Sequence, residues 1–198
     1  MNSLQKAHFT LIALLLFVFS VCTYAAAATE EEIEASVASG LSWLVSQQNA
    51  DGSWGGPYEK VATTGLVVLK LEDRAIDLGF DPLSEEYEYS ANVQAGLSYI
   101  TARAYYNTIG MEPAGNPDGD GDGAGAYFSS YGASGAHQVY TTGIAMMALA
   151  ASGHPEIYQD LLQDALDWMA WAQCDPECGD IHRGGWRYNG HGCDSDNS

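Results

Sequence analysis

The sequence predicts an all-α domain assembled from helical hairpins, and three observations lead to this fold class. Apolar residues recur at steps of three and four between Ile33 and Val45, which is typical of the buried face of an α-helix. Segments of this kind occur three times along the chain, and a second, more apolar kind occurs twice. The two kinds alternate, so each neighbouring pair is predicted to form one helix–turn–helix repeat.

Residues 1–28 are predicted to be a signal peptide that precedes the domain. Lys6 stands before the apolar run Phe9–Cys22, and the small residues Ala25–Ala28 provide a cleavage region. The alternative is an uncleaved anchor helix, but the run is shorter than the roughly 20 residues that a membrane-spanning helix needs. We therefore expect residues 29–198 to be an exported domain that is secreted, periplasmic or on the exterior of the cell envelope.

The charge of the chain excludes two classes of partner. The formal net charge is −19, and removing Lys6 with the signal peptide makes it −20. Phosphate-rich surfaces repel such a protein, so nucleic acids and anionic membranes are not expected as partners. The composition favours an acidic, soluble, exported protein.

The first kind of segment, called A, combines an apolar helical pattern with a large aromatic residue three positions after a Gly or Ala. The A segments are VASGLSWLVSQQ (Val37–Gln48), VQAGLSYITARA (Val93–Ala104) and LQDALDWMAWAQ (Leu162–Gln173). Their aromatic residues are Trp43, Tyr99 and Trp168. Each A segment is predicted to form the first helix of its hairpin.

The second kind of segment, called B, is apolar nearly all round and contains the tripeptide Thr-Thr-Gly. The B segments are VATTGLVVLKL (Val61–Leu71) and VYTTGIAMMAL (Val139–Leu149). Helices without a polar face are expected to pack inside a second layer. The order A, B, A, B, A predicts two complete hairpins and the start of a third, namely Glu30–Asp73, Tyr89–Ser152 and a segment from His154.

Both ends of the first A helix carry residues typical of helix caps. Thr29 precedes Glu31 and Glu32, and a threonine followed by acidic residues suits a helix N-terminus. Gln47 or Gln48 ends the helix. A glutamine amide both donates and accepts hydrogen bonds, so it can satisfy backbone groups left open at the helix end.

A tight turn follows, and it is predicted to lock the helix end in place. Asp51 can cap locally, Gly52 allows a positive φ, and Trp54 can fold back over the glutamine. The third hairpin is predicted to repeat this turn, with Gln173 and Trp186 on either side of an insertion. The second hairpin lacks it.

These motifs resemble the prenyltransferase/squalene-oxidase repeat of the terpenoid cyclase and protein prenyltransferase superfamily. LSWLVSQQNADGSW looks like the Gln-Trp repeat of that family, TTGLVVLKL and TTGIAMMAL look like its inner helices, and GGWRY adds to the match. The resemblance covers the chain from about Glu30 to Ser198. It implies an αα-toroid, which is a barrel of alternating inner and outer helices around a central apolar cavity.

The resemblance also implies that the toroid is incomplete. A complete family toroid takes about five to six hairpins, and this chain supplies about two and a half. We expect either a fragment of a longer protein or an open arc with an exposed apolar edge, which would favour association.

The same resemblance implies a candidate acid near the C-terminus. Class II terpene cyclases, such as squalene–hopene cyclase, carry an Asp-x-Asp-Asp motif after a Gly-Gly-Trp, where a neutral buried carboxylic acid protonates an alkene or epoxide. Here Asp194 and Asp196 take the first two positions, and Asn197 replaces the third aspartate. Asp196 would inherit the role of proton donor. The alternative is that residues 194–198 cap a helix that follows.

A long Gly-rich insertion in the second hairpin follows Tyr106 and contains a candidate metal loop. Its aspartates stand at alternate positions, namely Asp118, Asp120 and Asp122. With Gly123 they match the first half of a calcium loop, although the twelfth position is Ser129 instead of Glu, so the loop is not an EF-hand. Calcium or another hard cation is one interpretation, and a flexible acidic loop is the other.

The predicted mature chain keeps three cysteines, Cys174, Cys178 and Cys193. In an oxidising compartment they are disulfide candidates. A Cys174–Cys178 bridge would leave Cys193 free or paired with something outside the chain. A zinc site with His182 and His191 is the alternative. Protein prenyltransferases bind zinc, but their ligand arrangement does not match here residue by residue.

The remaining candidates are aromatic residues that either line a terpenoid cavity and stabilise carbocations or form the core. They are Trp43, Trp54, Tyr99, Trp168, Trp171 and Trp186. Trp54 and Trp186 are predicted to act as turn locks. His137 stands beside Tyr140 without a partner that the sequence identifies.

Two functions stay open. The first is an exported squalene cyclase/prenyltransferase-like repeat protein without catalysis, which binds an apolar, isoprenoid-like ligand or a protein partner. The second is a fragment of a class II terpene cyclase that uses Asp196 as proton donor. Export away from cytosolic isoprenoids, Asn197 and the incomplete toroid favour the first. Calcium is the cofactor that the sequence suggests.

Overall fold

The structure is a computed structural model that describes residues 27–133, 135, 137–175 and 183–190. The chain divides into two units, residues 1–40 and residues 41–198. The described part of the first unit is residues 27–40.

The described chain is mainly α-helical, as predicted. Its helices are α1 (Glu30–Ser46), α2 (Lys60–Asp77), α3 (Ser90–Thr101), α4 (Gln138–Ala151) and α5 (Gln159–Trp171), with a 3-10 turn at Pro155–Tyr158. The A segments lie in α1, α3 and α5, and the B segments lie in α2 and α4. The predicted alternation of two kinds of helix is therefore confirmed.

Helix α1 begins with a reciprocal cap. The Glu32 backbone N–H donates to Thr29 Oγ1 at 3.2 Å, and the Thr29 backbone N–H donates to Glu32 Oε2 at 2.9 Å. This capping box satisfies two backbone donors that the start of a helix leaves open. The predicted N-cap region at Thr29 is confirmed.

The predicted all-α class is wrong in one place, because the second hairpin contains a two-stranded antiparallel sheet. Strand β1 (Ala104–Thr108) follows α3 and pairs with β2 (Ala124–Phe128). Tyr105 and Tyr127 are opposite each other with ring centroids 5.8 Å apart, and aromatic cross-strand pairs stabilise such a ladder. Because the partner strand β2 lies beyond the Gly-rich insertion, the helical periodicity of the A segment could not predict the sheet.

The main core is built around α2, which packs against α3 and α4. Its buried apolar side chains include Val61, Val68, Leu71 and Ala75. Helix α4 contributes Ala145, Ala148 and Leu149. The prediction that the B helices are enclosed on every side is wrong, because Leu66 of α2 and Met147 of α4 are about half exposed.

A second cluster forms where α5 packs against β2 and α4. Its buried members are Tyr127, Val139, Trp168 and Ala172. The strands of the insertion are thus a platform for α5, and they hold the loop between them close to that helix.

Candidate functional site

The first Gln-Trp turn closes through side-chain hydrogen bonds to two backbone carbonyls. Gln48 Nε2 donates to the Gly52 carbonyl at 3.0 Å, and Trp54 Nε1 donates to the Leu44 carbonyl at 2.6 Å. Gln47 instead donates to Ser46 Oγ at an exposed position. Of the two glutamines that the sequence left open, Gln48 is the one in the turn.

Asp51 organises the tip of this turn. Its carboxylate accepts hydrogen bonds from the Ser53 hydroxyl and backbone N–H and forms an ion pair with Lys60 at 3.0 Å. The Ser53 hydroxyl first, and Lys60 second, lower the pKa of Asp51 to about 2. Gly52 has φ of 85°, the left-handed conformation that favours glycine.

The third hairpin makes the same two side-chain bonds. Gln173 Nε2 donates to the Gly184 carbonyl at 2.7 Å, and Trp186 Nε1 donates to the Met169 carbonyl at 2.8 Å. The carbonyl that accepts from tryptophan is four residues before the glutamine in both turns, and the carbonyl that accepts from glutamine is two residues before the tryptophan. Gly184 has φ of 81°, close to that of its counterpart.

The backbone repeats the pattern. The Asn49 N–H donates to the Ser53 carbonyl at 2.8 Å, and at the equivalent place the Cys174 N–H donates to the Gly185 carbonyl at 2.8 Å. The tip of the first turn is short, whereas that of the third spans residues 175–183. The same turn therefore accommodates a long insertion at its tip.

The Thr-Thr-Gly motifs anchor the aromatic residue of each turn. Thr64 Oγ1 accepts from the Trp54 backbone N–H at 2.9 Å, and Thr142 Oγ1 accepts from the Phe128 backbone N–H at 3.0 Å. Both threonines are the second of their motif. Phe128 at the end of β2 thus occupies the place of Trp54 in the second hairpin, which the sequence did not indicate because the residue type and spacing differ.

Each later turn also contacts the start of the preceding B helix. The Val61 N–H donates to Ser130 Oγ at 3.0 Å, and the Val139 N–H donates to the Tyr188 carbonyl at 3.0 Å. Val61 and Val139 are equivalent residues, and Ser130 and Tyr188 each follow their turn aromatic by two positions. The repeats are therefore linked in the same way at both steps.

Trp54 packs tightly against the next A helix. A Cβ atom on Gly96 of α3 would lie 3.1 Å from Trp54 Cζ3 and 2.4 Å from Val68 Cγ2. Only glycine fits this contact without a shift, which explains the Gly at this position of the second A segment.

An apolar cleft of about 470 Å³ opens beside the first turn. Its lining residues are Trp43, Leu44, Gln47, Asn49, Trp54, Gly55, Thr63 and Val67. Of the aromatic candidates, Trp54 and Tyr99 belong to the main core, and Trp168, Trp171 and Trp186 to the second cluster. Trp43 is the exposed member of the set.

His137 has a partner that the sequence did not identify. Its Nδ1 lies 3.2 Å from Glu59 Oε1, and the Tyr140 hydroxyl donates to Glu59 Oε2. His137 has φ of 68°, an uncommon conformation for a residue other than glycine. Glu59 and His137 directly precede α2 and α4, so they are equivalent positions of the two hairpins.

The aspartates of the predicted metal loop point toward one another. One carboxylate oxygen from each of Asp118, Asp120 and Asp122 lies within 4.8 Å of the others. Asp118 accepts from the backbone N–H groups of Gly121 at 2.8 Å and Gly123 at 3.1 Å, which fixes its direction.

The loop rests against acidic residues of α5. The Gly119 N–H donates to Asp167 Oδ2 at 3.0 Å. Asp164 lies one turn earlier on the helix and is buried. Burial first, and the charges of Asp122 and Asp120 next, raise the pKa of Asp164. Because Asp164 and the loop are far apart in the chain, spacing alone could not associate them.

The main core contains a buried acidic side chain, that of Glu72. Glu72 of α2 is fully buried, and neither of its carboxylate oxygens has a hydrogen-bond partner among the residues that the structure describes. Burial first, and the charge of Asp73 second, raise its pKa from the ordinary 4.5 to about 8. Glu72 is therefore neutral over most of the physiological range.

Of the three predicted disulfide cysteines, the structure describes Cys174. Cys174 is buried and disulfide-bonded, and its partner lies outside the described residues. A sulfur in a disulfide is not a thiolate, so the zinc interpretation is wrong for Cys174. The other members of both sets, Cys178, Cys193, His182 and His191, lie outside the described residues.

The candidate catalytic residues Asp194 and Asp196 also lie outside the described residues. Among the helices that are described, none combines the length and the apolar character needed to cross a membrane. No protein-family model, curated protein or solved structure matches this chain. The resemblance to toroid repeats therefore depends on the sequence motifs alone.

Proposed function

We propose that the protein is an exported, non-catalytic repeat module of the αα-toroid type and that it works by binding a protein partner at the cleft beside Trp43. The observation that carries the toroid assignment is the repeated turn. Gln48 with Trp54, and Gln173 with Trp186, make matching bonds at matching spacings, and Thr64 and Thr142 anchor equivalent residues. Because individual hydrogen bonds repeat from one hairpin to another, we infer that successive hairpins pack against each other in the same way.

The binding assignment is supported by a comparison within the repeats. Trp43, Tyr99 and Trp168 are equivalent residues, yet Trp43 is 62% exposed while Tyr99 is 7% and Trp168 1% exposed. Exposed aromatic surface beside an apolar cleft is typical of an interaction site.

The partner that these contacts favour is a second copy of this chain. In the third hairpin the equivalent aromatic is covered by strand β2: the Tyr127 ring lies 5.2 Å from that of Trp168, and a Cβ on Gly125 would be 3.1 Å from Trp168 Cβ. A strand surface of this chain thus fits this aromatic. A surface of the same kind on another molecule can cover Trp43.

The net charge makes this association dependent on salt. At −19, two copies repel each other, and added salt screens the repulsion while leaving apolar contacts intact. We therefore expect association to strengthen as the salt concentration rises, the opposite of a contact held by ion pairs.

Sedimentation velocity of the exported chain tests the proposal. The wild type is expected to associate as its concentration rises, more strongly at about 0.5 M than at about 0.05 M NaCl. Trp43→Ser should stay monomeric. Leu166→Ser is the matched control, because Leu166 is a comparably exposed apolar residue outside the cleft, and it should associate like the wild type.

A wild type that stays monomeric would exclude the second copy as partner. Trp43-dependent fluorescence of 1-anilinonaphthalene-8-sulfonate would then favour an apolar ligand in the cleft. The cyclase alternative has its own test: conversion of squalene by the wild type that Asp196→Asn abolishes would show that the protein is a catalyst.

A further inference from the structure

Within the chain, the first Gln-Trp turn packs on the following A helix, α3, through two side chains. Gln48 Nε2 donates to the Asn92 carbonyl at 3.0 Å, in addition to its bond within the turn. The Trp54 ring lies so close to Gly96 that a Cβ atom there would be 3.1 Å from Cζ3. This interface therefore requires an open backbone carbonyl and, one turn later on the helix, a glycine.

Helix α1 has the same surface, but there it is exposed. Alignment of the A segments pairs Ser36 with Asn92 and Gly40 with Gly96. A Cβ atom on Gly40 would have no described residue within 4 Å outside its own stretch of helix. Val37 is 40% exposed, whereas its counterpart in α3 is fully buried. The interface seen between the first and second hairpins thus has an uncovered equivalent on α1.

The two serines on this surface do not obstruct it. Ser36 Oγ donates to the Glu32 carbonyl at 2.9 Å, and Ser39 Oγ donates to the Ala35 carbonyl at 2.8 Å. Both hydroxyls are satisfied by the backbone of their own helix, so covering them with an apolar group leaves no polar hydrogen unpaired. Below, the α1 face means Ser36, Val37, Ser39 and Gly40.

The third Gln-Trp turn has the surface that fits the α1 face. Gln48 donates one hydrogen bond within its turn and one to the next A helix, whereas among the described residues Gln173 donates only the bond within its turn. Trp54 is 2% exposed, whereas Trp186 is half-buried. The third turn therefore keeps one amide hydrogen and part of an indole ring for a further contact.

From these observations we propose that copies of the chain associate head to tail, with the third turn of one copy packed on the α1 face of the next. Trp186 lies over Gly40, in the way that the first turn packs on α3. Gln173 donates its second amide hydrogen to the Ser36 carbonyl. The contact continues, from one molecule to the next, the interface that already joins the first and second hairpins.

This inference rests on the proposed function, because it names the surface that the second copy contributes. Gly40 and Trp43 are three residues apart on α1, so they are neighbours on one side of the helix. The contact joins two different surfaces, and each pair of copies therefore keeps one third turn and one α1 face uncovered. Such a contact closes into a ring or extends into a filament.

Sedimentation velocity of the exported chain in about 0.5 M NaCl tests the α1 face. Gly40→Leu should weaken association by about tenfold or more, because the added side chain fills the place of the Trp186 ring. Gly40 is exposed within a helix, so the replacement favours the helix and the variant should fold. Ala38→Leu is the matched control. It adds the same side chain where the counterpart in α3, Gln94, is exposed, and it should associate like the wild type.

A mixture of two variants tests the head-to-tail arrangement. Trp186→Ala removes the ring from the third turn and should also be monomeric. Mixed in equal amounts, Gly40→Leu and Trp186→Ala should form a dimer and nothing larger, because one supplies an intact turn and the other an intact α1 face. A contact between identical surfaces would not be restored by mixing. Circular dichroism shows whether Trp186→Ala is folded, and if it is not, Gly40→Leu against Ala38→Leu decides.

The outcomes separate this inference from the proposed function. If the wild type associates and Trp43→Ser does not, but Gly40→Leu associates like the wild type, the inference is overturned and the proposed function stands. The inference also fails if Ala38→Leu weakens association as much as Gly40→Leu, or if the mixture of two folded variants stays monomeric. A wild type that stays monomeric overturns both.

Discussion

The first and third turns make the same hydrogen bonds but are buried to different extents. Trp54 is 2% exposed and packs on Gly96 of the following A helix, whereas Trp186 is half-buried. Gln48 also bonds to Asn92 of that helix, while the bond from Gln173 to Gly184 is exposed. Local contacts therefore form the turn, and the next repeat supplies its burial.

Tryptophan replacements should show the largest difference between the turns. We expect Trp54→Ala to lower the free energy of unfolding by about 3–5 kcal/mol, because it removes a buried ring and leaves a cavity against α3. Trp186→Ala should cost about 1–2 kcal/mol, since part of that ring is already in water. Urea unfolding of both variants provides the measurement. Equal losses in the free energy of unfolding would show that packing against the following helix does not determine how much each tryptophan stabilises the protein.

The B helices offer a second contrast, because Glu72 of α2 corresponds to the exposed Ala150 of α4. Below pH 4.5 the carboxyl is protonated in both the folded and the unfolded chain. Between pH 4.5 and about 8 the unfolded chain loses this proton and the folded chain keeps it. Stability should therefore fall by at most about 1.4 kcal/mol per pH unit in this window.

Glu72→Gln removes this dependence. The variant should be more stable than the wild type by about 3 kcal/mol at pH 7, with a difference that narrows toward pH 4.5. Urea unfolding at several pH values within the window measures it. Parallel pH profiles for the variant and the wild type would mean that Glu72 is ionised in the folded protein.

The glutamines should show the smallest difference. Gln48→Ala removes the bonds to Gly52 and Asn92, so we expect a loss of about 1–3 kcal/mol. Gln173→Ala removes one exposed bond and should cost about 0.5–1 kcal/mol. A double-mutant cycle of Gln48→Ala with Asn92→Ala isolates the contact between repeats, and a coupling energy near zero would rule it out as a stabilising contact.

Periodicity and turn chemistry predicted the part of the fold that local sequence determines. The five helices, the cap at Thr29 and the residues of both Gln-Trp turns follow from patterns within about a dozen neighbouring residues. The sheet did not, because β1 pairs with a strand beyond a long loop.

The sites depend even more on distant residues. Asp167 contacts Gly119 of the acidic loop, and Glu59 contacts His137, across spans of sequence in which no spacing rule applies. The role of Phe128 was not predicted for another reason. Its backbone N–H donates to Thr142 Oγ1, and any residue type except proline can make this bond, so the side chain gives no sequence signal.

The contact between Glu59 and His137 joins the starts of the two B helices. The two residues hold equivalent places in successive repeats, yet one is an acid and the other an imidazole, and they meet. Exchanging the hairpins' helix starts to give two copies of Glu59 would place like charges side by side, and two copies of His137 would leave the ring without its acceptor. The two helix starts are therefore complementary to each other and not to copies of themselves. An arrangement of these repeats that brings two identical helix starts together is disfavoured.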